Sequence, residues 1–457
     1  MKYTKLTISD PKNLIYGKAP HPVTTKNYGL NIGGGLIYPE LNFTLPPMTI
    51  SQATEKEMFG HYEQIVTQSL KRAAELDSPG VVLECETLPP QTENPQYSET
   101  ICKILLDGMA AANAKYGLKS ALRFTPNDNR EMIRPPKMRS GPQWEAMLDA
   151  FERVCKLGAD MLSIESTGGK ELHDDALMKC DIEGVIFCLS VLATRDMKFL
   201  WDNMVSICNK HNVIPAGDSA CGFGNTAMVL AEQRLIPRAF AAVVRVLTTV
   251  RALVAIECGA KGPGKDCAYE NPFLKAITGV SSSSEGKTSA CAHLSPLGNI
   301  AAAYGDLWSN ESVQNVMLLG STAPVAYMES LIYDCRMFNV AREKNFDLAL
   351  RDILVDSDAH LDNQAYIFRP ENVIKLAGVI VGADNYYDAA KKAALATVKI
   401  LTEGGQKGAT KISKMDAKYL DAITKSVEVM PATESEFIAK MLPKVNKGKI
   451  NLQDYGL

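Results

Sequence analysis

Between residues 81 and 320, short apolar runs ending in polar or acidic residues alternate with stretches of helical spacing, and few folds accept that pattern. The runs are residues 81–86 (VVLECE), 120–124 (SALRF), 160–165 (DMLSIE), 213–218 (VIPAGD), 252–257 (ALVAIE) and 316–320 (VMLLG). Helical patterns fall between them, as at 98–116 and 144–157. Strands alternating with helices imply βα units and a parallel sheet. Residues 276–282 are a candidate seventh strand, and the eighth needed to close a barrel is not visible. The expected fold is α/β, a TIM-type (β/α)8 barrel.

The flanks read differently. Residues 1–52 are broken by Pro20, Pro22, Gly29, the run Gly33-Gly34-Gly35, Pro39, Pro46 and Pro47, and are expected to form an extension that lies on the barrel or closes one end of it. Met58, Tyr62, Ile65, Leu70 and Ala73 recur at helical spacing over 54–76. The barrel is expected over 53–340. Residues 341–457 form a helical C-terminal region, with helices near 346–353, 372–380, 387–401, 414–427 and 435–440.

Composition removes several classes. With 46% hydrophobic residues the chain can bury a sizeable core. Lys and Arg total 49 against 52 Asp and Glu, a net charge of −3, and no basic run marks nucleic acid as a partner. No stretch of roughly 20 apolar residues is uninterrupted, so no membrane span is expected. The nearest, 239–258, is cut by Arg245 and Arg251 and reads as a buried or amphipathic helix leading into a strand. The N-terminus lacks the apolar core of a secretion signal. Eleven scattered cysteines do not resemble a disulfide framework, so a reducing, cytoplasmic setting is expected.

Chemistry in such barrels sits at the C-terminal ends of the strands. Those ends read ECETLPP (84–90), RFTPNDN (123–129), SIESTGG (163–169), GDSACGFGN (217–225) and ECGAKGPGKDCAYE (257–270). Two segments approach a phosphate loop. In 259–266 (GAKGPGKD), Asp266 stands where a hydroxyl should hold magnesium; in 281–288 (SSSSEGKT), Ser281 stands where the first glycine belongs. Tight loops at strand ends explain both better. The six histidines form no HExxH motif or pair four apart, and His173 and His293 read as loop or core residues. A GxSxG nucleophile elbow is absent.

Thiol and carboxylate remain. Glu165, Cys221 and Cys267 lie at or just after proposed strand ends on separate loops, and zinc takes sulfur and oxygen ligands with one position left open for catalysis. No local motif ties the three together. On spacing alone, inert buried cysteines and a glutamate bonding backbone amides remain the default.

The segments IESTGGKE (164–171), PAGDSACGFGNTAMVLAEQ (215–233), ECGAKGPGKDCAYENPFLKAITG (257–279) and SSSSEGKTSACAHLSPLGN (281–299) resemble the zinc-containing methanol–corrinoid methyltransferase subunits of methylotrophic methanogens and acetogens. The resemblance spans essentially the whole chain. It implies a TIM-type barrel with one zinc held by Glu165, Cys221 and Cys267. It also implies methanol as substrate and a separate subunit that supplies the corrinoid, in a heterotetrameric complex. The reaction implied is methyl transfer from methanol to Co(I). Expelling hydroxide, whose conjugate acid has a pKa of ~15.7, is hard without a metal, and zinc lowers that of bound water to ~7–9. Two thiolates and a carboxylate around zinc carry a net charge of −1. Glu84, Glu86 and Asp218 are candidates to supply a proton or orient a ligand, and bonding within the scaffold explains them equally well. Lys261 and Lys265 flank Cys267 and either offer counter-charge or are, equally, solvated loop lysines. The Gly-rich segments 222–225 and 259–265 are expected to line a mouth wide enough for a corrinoid. Alternative readings are a zinc barrel using another methyl donor, such as a methoxylated aromatic or a thiol, and a non-catalytic docking subunit for a corrinoid protein.

Overall fold

The computed structural model describes residues 1–45, 48–267, 269–286, 297–313 and 320–457. An antiparallel hairpin, β1 (Lys18–Thr24) and β2 (Asn31–Gly34), precedes the main sheet. That sheet is parallel throughout. It comprises β3 (Tyr38–Thr44), β4 (Val81–Thr87), β5 (Ser120–Pro126), β6 (Met161–Ile164), β7 (Ile214–Asp218), β8 (Ser283–Glu285) and β9 (Leu307–Val313). The strand order is β7-β6-β5-β4-β3-β9-β8.

The two edges, β7 and β8, are joined by an irregular eighth stave. The N–H groups of Lys261 and Gly262 donate to the carbonyls of Pro215 and Ala216 in β7, at 2.7 and 2.9 Å. On the other side Gly264 N–H donates to Ser281 O (3.0 Å), Ser283 N–H to Gly264 O (3.1 Å) and Glu285 N–H to Asp266 O (3.0 Å). Residues 261–266 thus close the barrel although they contain Gly262, at φ +78°, and Pro263, which has no N–H to donate. The closure is tight: a Cβ on Gly217 would sit 2.8 Å from the Gly264 Cα. Gly217→Ala is therefore expected to cost about 1–3 kcal/mol, as overpacking of a well-filled interior does. An unchanged midpoint in chemical denaturation would contradict this closure.

Side chains alternate across each stave, and the alternation sorts the barrel into layers. Outward residues such as Leu41, Phe43, Leu83, Cys85, Leu122, Phe124, Leu162 and Ile164 pack under the surrounding helices. Inward, Tyr38, Val82, Ala121, Met161, Ala216 and Leu307 form an apolar floor. Leu30 and Ile32 of the hairpin pack against that floor, so the hairpin closes the N-terminal end. Above the floor the interior turns polar, with Glu40, Glu84, Arg123, Ser283 and Ser309 all buried.

Three sequence-based expectations need correction. The boundary drawn at 52/53 cuts off β3, which lies between β4 and β9 in the sheet. Pro39 and the inward Glu40 and Asn42 hide that strand in a turn-rich segment. Residues 252–257 are no strand but the end of a 21-residue helix, Arg238–Cys258. Helices Tyr386–Gln406 and Lys414–Glu428 of the C-terminal region pack on it as well as the barrel does, so it is buried on all sides and loses its amphipathic signature. Among the described residues it is the one helix long and apolar enough to cross a membrane, and it is buried inside the protein. The candidate strand at 276–282 divides between helix Asn271–Thr278 and the approach to β8. Most of the run 316–320 lies outside the described residues.

Candidate metal centre

Glu165 follows β6 directly, at the C-terminal rim. Cys221 begins helix Cys221–Glu232 three residues after β7, and Cys267 follows the eighth stave. Adjacent rim positions bring together residues far apart in sequence: one ligand-type atom from each lies within 4.8 Å of the other two. Cys267 Sγ is 3.4 Å from Glu165 Oε1. Each is anchored. Asn225, one turn along the same helix, directs Nδ2 at Cys221 Sγ (3.2 Å), and Cys221 N–H donates to Ser219 Oγ (3.0 Å). Ala220 N–H donates to Glu270 Oε1 at 2.9 Å; burial pushes the Glu270 carboxyl up to about 7. Burial, with the neighbouring Cys221 sulfur, raises the Glu165 carboxyl well above its usual range, while 20% of its side chain stays exposed at the rim.

Beneath the triad lies a network that sequence reasoning caught only in part. Lys265, fully buried, places Nζ 3.1 Å from Glu165 Oε1, 3.3 Å from Glu84 Oε1 and 2.8 Å from Asp266 Oδ1, and contacts Glu86. Burial works against its charge, but Asp266, the Cys267 sulfur, Glu84 and Glu86 outweigh burial and push its pKa well above the usual lysine value. Burial is also the main reason that the Glu84 carboxyl lies well above the usual range. Thr125 Oγ1 donates to its Oε1 (2.8 Å), and its buried Oε2 has no hydrogen-bond partner among the described residues. Asn42 Nδ2 bridges Glu86 Oε1 (3.0 Å) and Asp266 Oδ2 (2.9 Å), and Ser309 Oγ adds a bond to Asp266. Lower still, Arg123 pairs with Glu40 at 2.9 Å. Glu40 and Asn42 were missed; their signal was the two-residue alternation with Leu41 and Phe43 in YPELNFT.

Asp218 lies outside this network, and its bonds are to the scaffold around the Glu165 segment. The pairing of β6 and β7 shifts between Leu162 and Ile164, so Ile164 faces Asp218 where an unbroken register would give Gly217. The extra residue turns Asp218 outward. There it pairs with Arg251 (2.9 Å) and accepts from Trp201 Nε1 (2.8 Å). Residues 222–225 are the first turn of a helix and not a free loop, and 261–265 belong to the eighth stave. Lys265 therefore points at carboxylates, not at a phosphate cradle. His173 is buried edge-on to Phe223, with centroids 5.0 Å apart; His293 lies outside the described residues. None of the ten cysteines among the described residues forms a disulfide.

The loop after β5 braces the Glu165 loop. Arg130 forms paired bonds to Asp128 (2.7 and 2.8 Å) and to Asp196 (2.8 and 2.9 Å), all buried, and Asp128 Oδ2 accepts from Thr167 N–H at 2.9 Å. Burial raises the Asp128 carboxyl, but Arg130 more than offsets this and leaves it below its usual value. Its contribution is therefore present above the unfolded-state pKa of about 4 and is lost as pH falls through the lower folded value. Asp128→Asn is expected to cost about 3 kcal/mol at pH 7, the low end for breaking a buried pair because Arg130 keeps Asp196. Denaturant unfolding at pH 7 and below pH 4 checks this, since the gap to wild type should narrow in acid.

Comparison with known proteins follows the same lines. The family model for the methanol-cobalamin methyltransferase B subunit matches residues 1–456. A methanol–corrinoid protein co-methyltransferase of Methanosarcina barkeri (strain Fusaro / DSM 804) is 35% identical over 447 residues, which span 97% of this chain and 96% of that protein. The crystal structure of the methanol:cobalamin methyltransferase complex MtaBC from Methanosarcina barkeri matches with a TM-score of 0.94 at 34% identity, covering 100% of this chain and 99% of that one.

Proposed function

The chain belongs to the methanol-cobalamin methyltransferase B subunit family, and we propose that Glu165, Cys221 and Cys267 hold one zinc ion where methanol gives up its methyl group to the corrinoid of a partner subunit. The observation that carries this reading is the convergence of two thiols and a carboxylate, from three separate segments, at the C-terminal rim of the barrel. The donor set suits zinc. Ligands at about 2.3 Å (sulfur) and 2.0–2.2 Å (oxygen) at a tetrahedral angle lie roughly 3.5 Å apart, and Cys267 Sγ and Glu165 Oε1 stand 3.4 Å apart. Three protein ligands leave a fourth position for substrate, the pattern of a catalytic site.

Zinc bound there would supply Lewis acidity toward the methanol oxygen. The reaction breaks the C–O bond, forms a bond between methyl and cobalt, and leaves hydroxide to take up a proton and depart as water. Residues of this chain prepare for that charge. Lys265 offsets part of the negative charge of the ligand set through its contact with Glu165. Burial favours the protonated form of the Glu84 carboxyl, which lies beside Lys265. Asn225 keeps the Cys221 sulfur directed at the site.

X-ray absorption at the zinc edge of the purified chain tests the ligand set. Two sulfur and one or two oxygen neighbours are expected, and a shell of nitrogen ligands would overturn it. Competition tests the donor: methanol should be used in preference to methoxylated aromatics and thiols, and preference for either of those would redirect the reading.

A further inference from the structure

Arg251 sits within helix Arg238–Cys258, flanked by Val250, Ala252, Leu253 and Val254, and is fully buried. An arginine in such surroundings is costly unless its hydrogen bonds are specific. Its Nη2 donates to Ser166 O (2.7 Å), to Ser166 Oγ and to Asp218 Oδ1 (2.9 Å). Its guanidinium lies 4.7 Å from the centroid of the Phe223 ring.

Those contacts bracket two of the three candidate ligands. Ser166 is the residue after Glu165. Asp218 precedes Cys221 by three residues and Phe223 follows it by two. Asp218 also accepts from Ser166 N–H (3.3 Å), so Ser166 is gripped at both its N–H and its carbonyl by one ion pair. Trp201 Nε1 holds the second oxygen of Asp218 and fixes the carboxylate against the helix layer.

We infer that Arg251 is a positioning residue that sets the separation between Glu165 and Cys221, an inference that rests on the zinc reading above. The guanidinium reaches both ligand-bearing segments from outside the barrel, through Ser166 on one side and Asp218 and Phe223 on the other. Metal ligands hold their geometry only when such outer contacts fix their orientation, and loss of one typically costs 10–100-fold in affinity. Without Arg251, the Ser166 carbonyl and the Asp218 carboxylate each lose a buried donor, and the two segments are free to move apart.

The test uses the full-length chain as wild type, Arg251→Met and Arg251→Lys. Zinc affinity is read by chelator competition, and ligand geometry by the visible spectrum of the cobalt(II)-substituted protein. Arg251→Met is expected to keep a cooperative unfolding transition, bind zinc about 10–100-fold more weakly and shift the cobalt bands. Arg251→Lys should recover part of both. Wild-type affinity and an unshifted spectrum in Arg251→Met would overturn the inference. If Arg251→Met does not fold, Asp218→Asn is measured instead by the same criteria, since it retains the shape and the Trp201 bond but loses the charge that holds Arg251. Wild-type protein that binds no metal at Glu165, Cys221 and Cys267 overturns the zinc reading itself; metal binding there that is indifferent to Arg251 overturns only the positioning role.

Discussion

Replacing Cys267 by alanine is expected to abolish stoichiometric zinc retention and, with it, methyl transfer from methanol. Cys267 is buried beside Glu165, and in a site with three protein ligands the loss of one thiolate removes one of the two sulfur donors. Metal affinity should fall by at least about a thousandfold, roughly 4 kcal/mol. Cys258→Ala is the matched control, because Cys258 lies outside the triad, with its thiol near the Lys198 carbonyl. Metal analysis after gel filtration separates the outcomes. Equal zinc content in wild type, Cys267→Ala and Cys258→Ala would show that the metal is held elsewhere.

The second large effect concerns Lys265. Its ammonium group touches Glu84, Glu86, Glu165 and Asp266 in a buried part of the barrel. Lys265→Met leaves those carboxylates without the cation that lies among them. Removing one partner of a buried ionic cluster typically costs 3–5 kcal/mol. The metal-free variant should therefore melt well below metal-free wild type. Zinc brings back positive charge at Glu165, so adding it should raise the melting temperature of the variant more than that of wild type. Equal melting temperatures in metal-free wild type and variant would mean that the carboxylates hold protons and need no counter-charge.

Much of the barrel was legible because its central staves follow ordinary rules. β4, β5, β6 and β7 are apolar runs between helices, and each lies where the alternation places it. The eighth stave was not legible, because Gly262, Pro263 and Gly264 include none of the β-branched or aromatic residues that mark a strand; only its backbone bonds reveal it. β3 was obscured for a related reason: its inward positions hold Glu40 and Asn42, the price of lining a polar interior. Helix Arg238–Cys258 looked partly like a strand because covering it on all sides erases the periodicity that distinguishes the two.

The site divides in the same way. Residue types at strand ends left Glu165, Cys221 and Cys267 as inert residues by default, the family resemblance implied them as a ligand set, and closure of the barrel brings their ligand atoms within 4.8 Å. Glu84 and Glu86 sit in the network beneath them. Asp218 does not, because one extra residue in β7 reverses its facing, and a sequence carries no clear mark of such a shift. Lys265 is readable from the sequence as counter-charge beside Cys267, but its burial among carboxylates, and the place of Asp266 there, are not. Those surroundings follow from the stave that carries both residues along the barrel interior.

The most direct test of the account is anaerobic. Zinc-loaded protein is mixed with methanol and the corrinoid-carrying partner reduced to Co(I), and the visible spectrum is followed for methyl-Co(III). The account expects conversion that requires methanol and disappears in Cys267→Ala but persists in Cys258→Ala. No conversion in wild type, or equal conversion in Cys267→Ala, would contradict it.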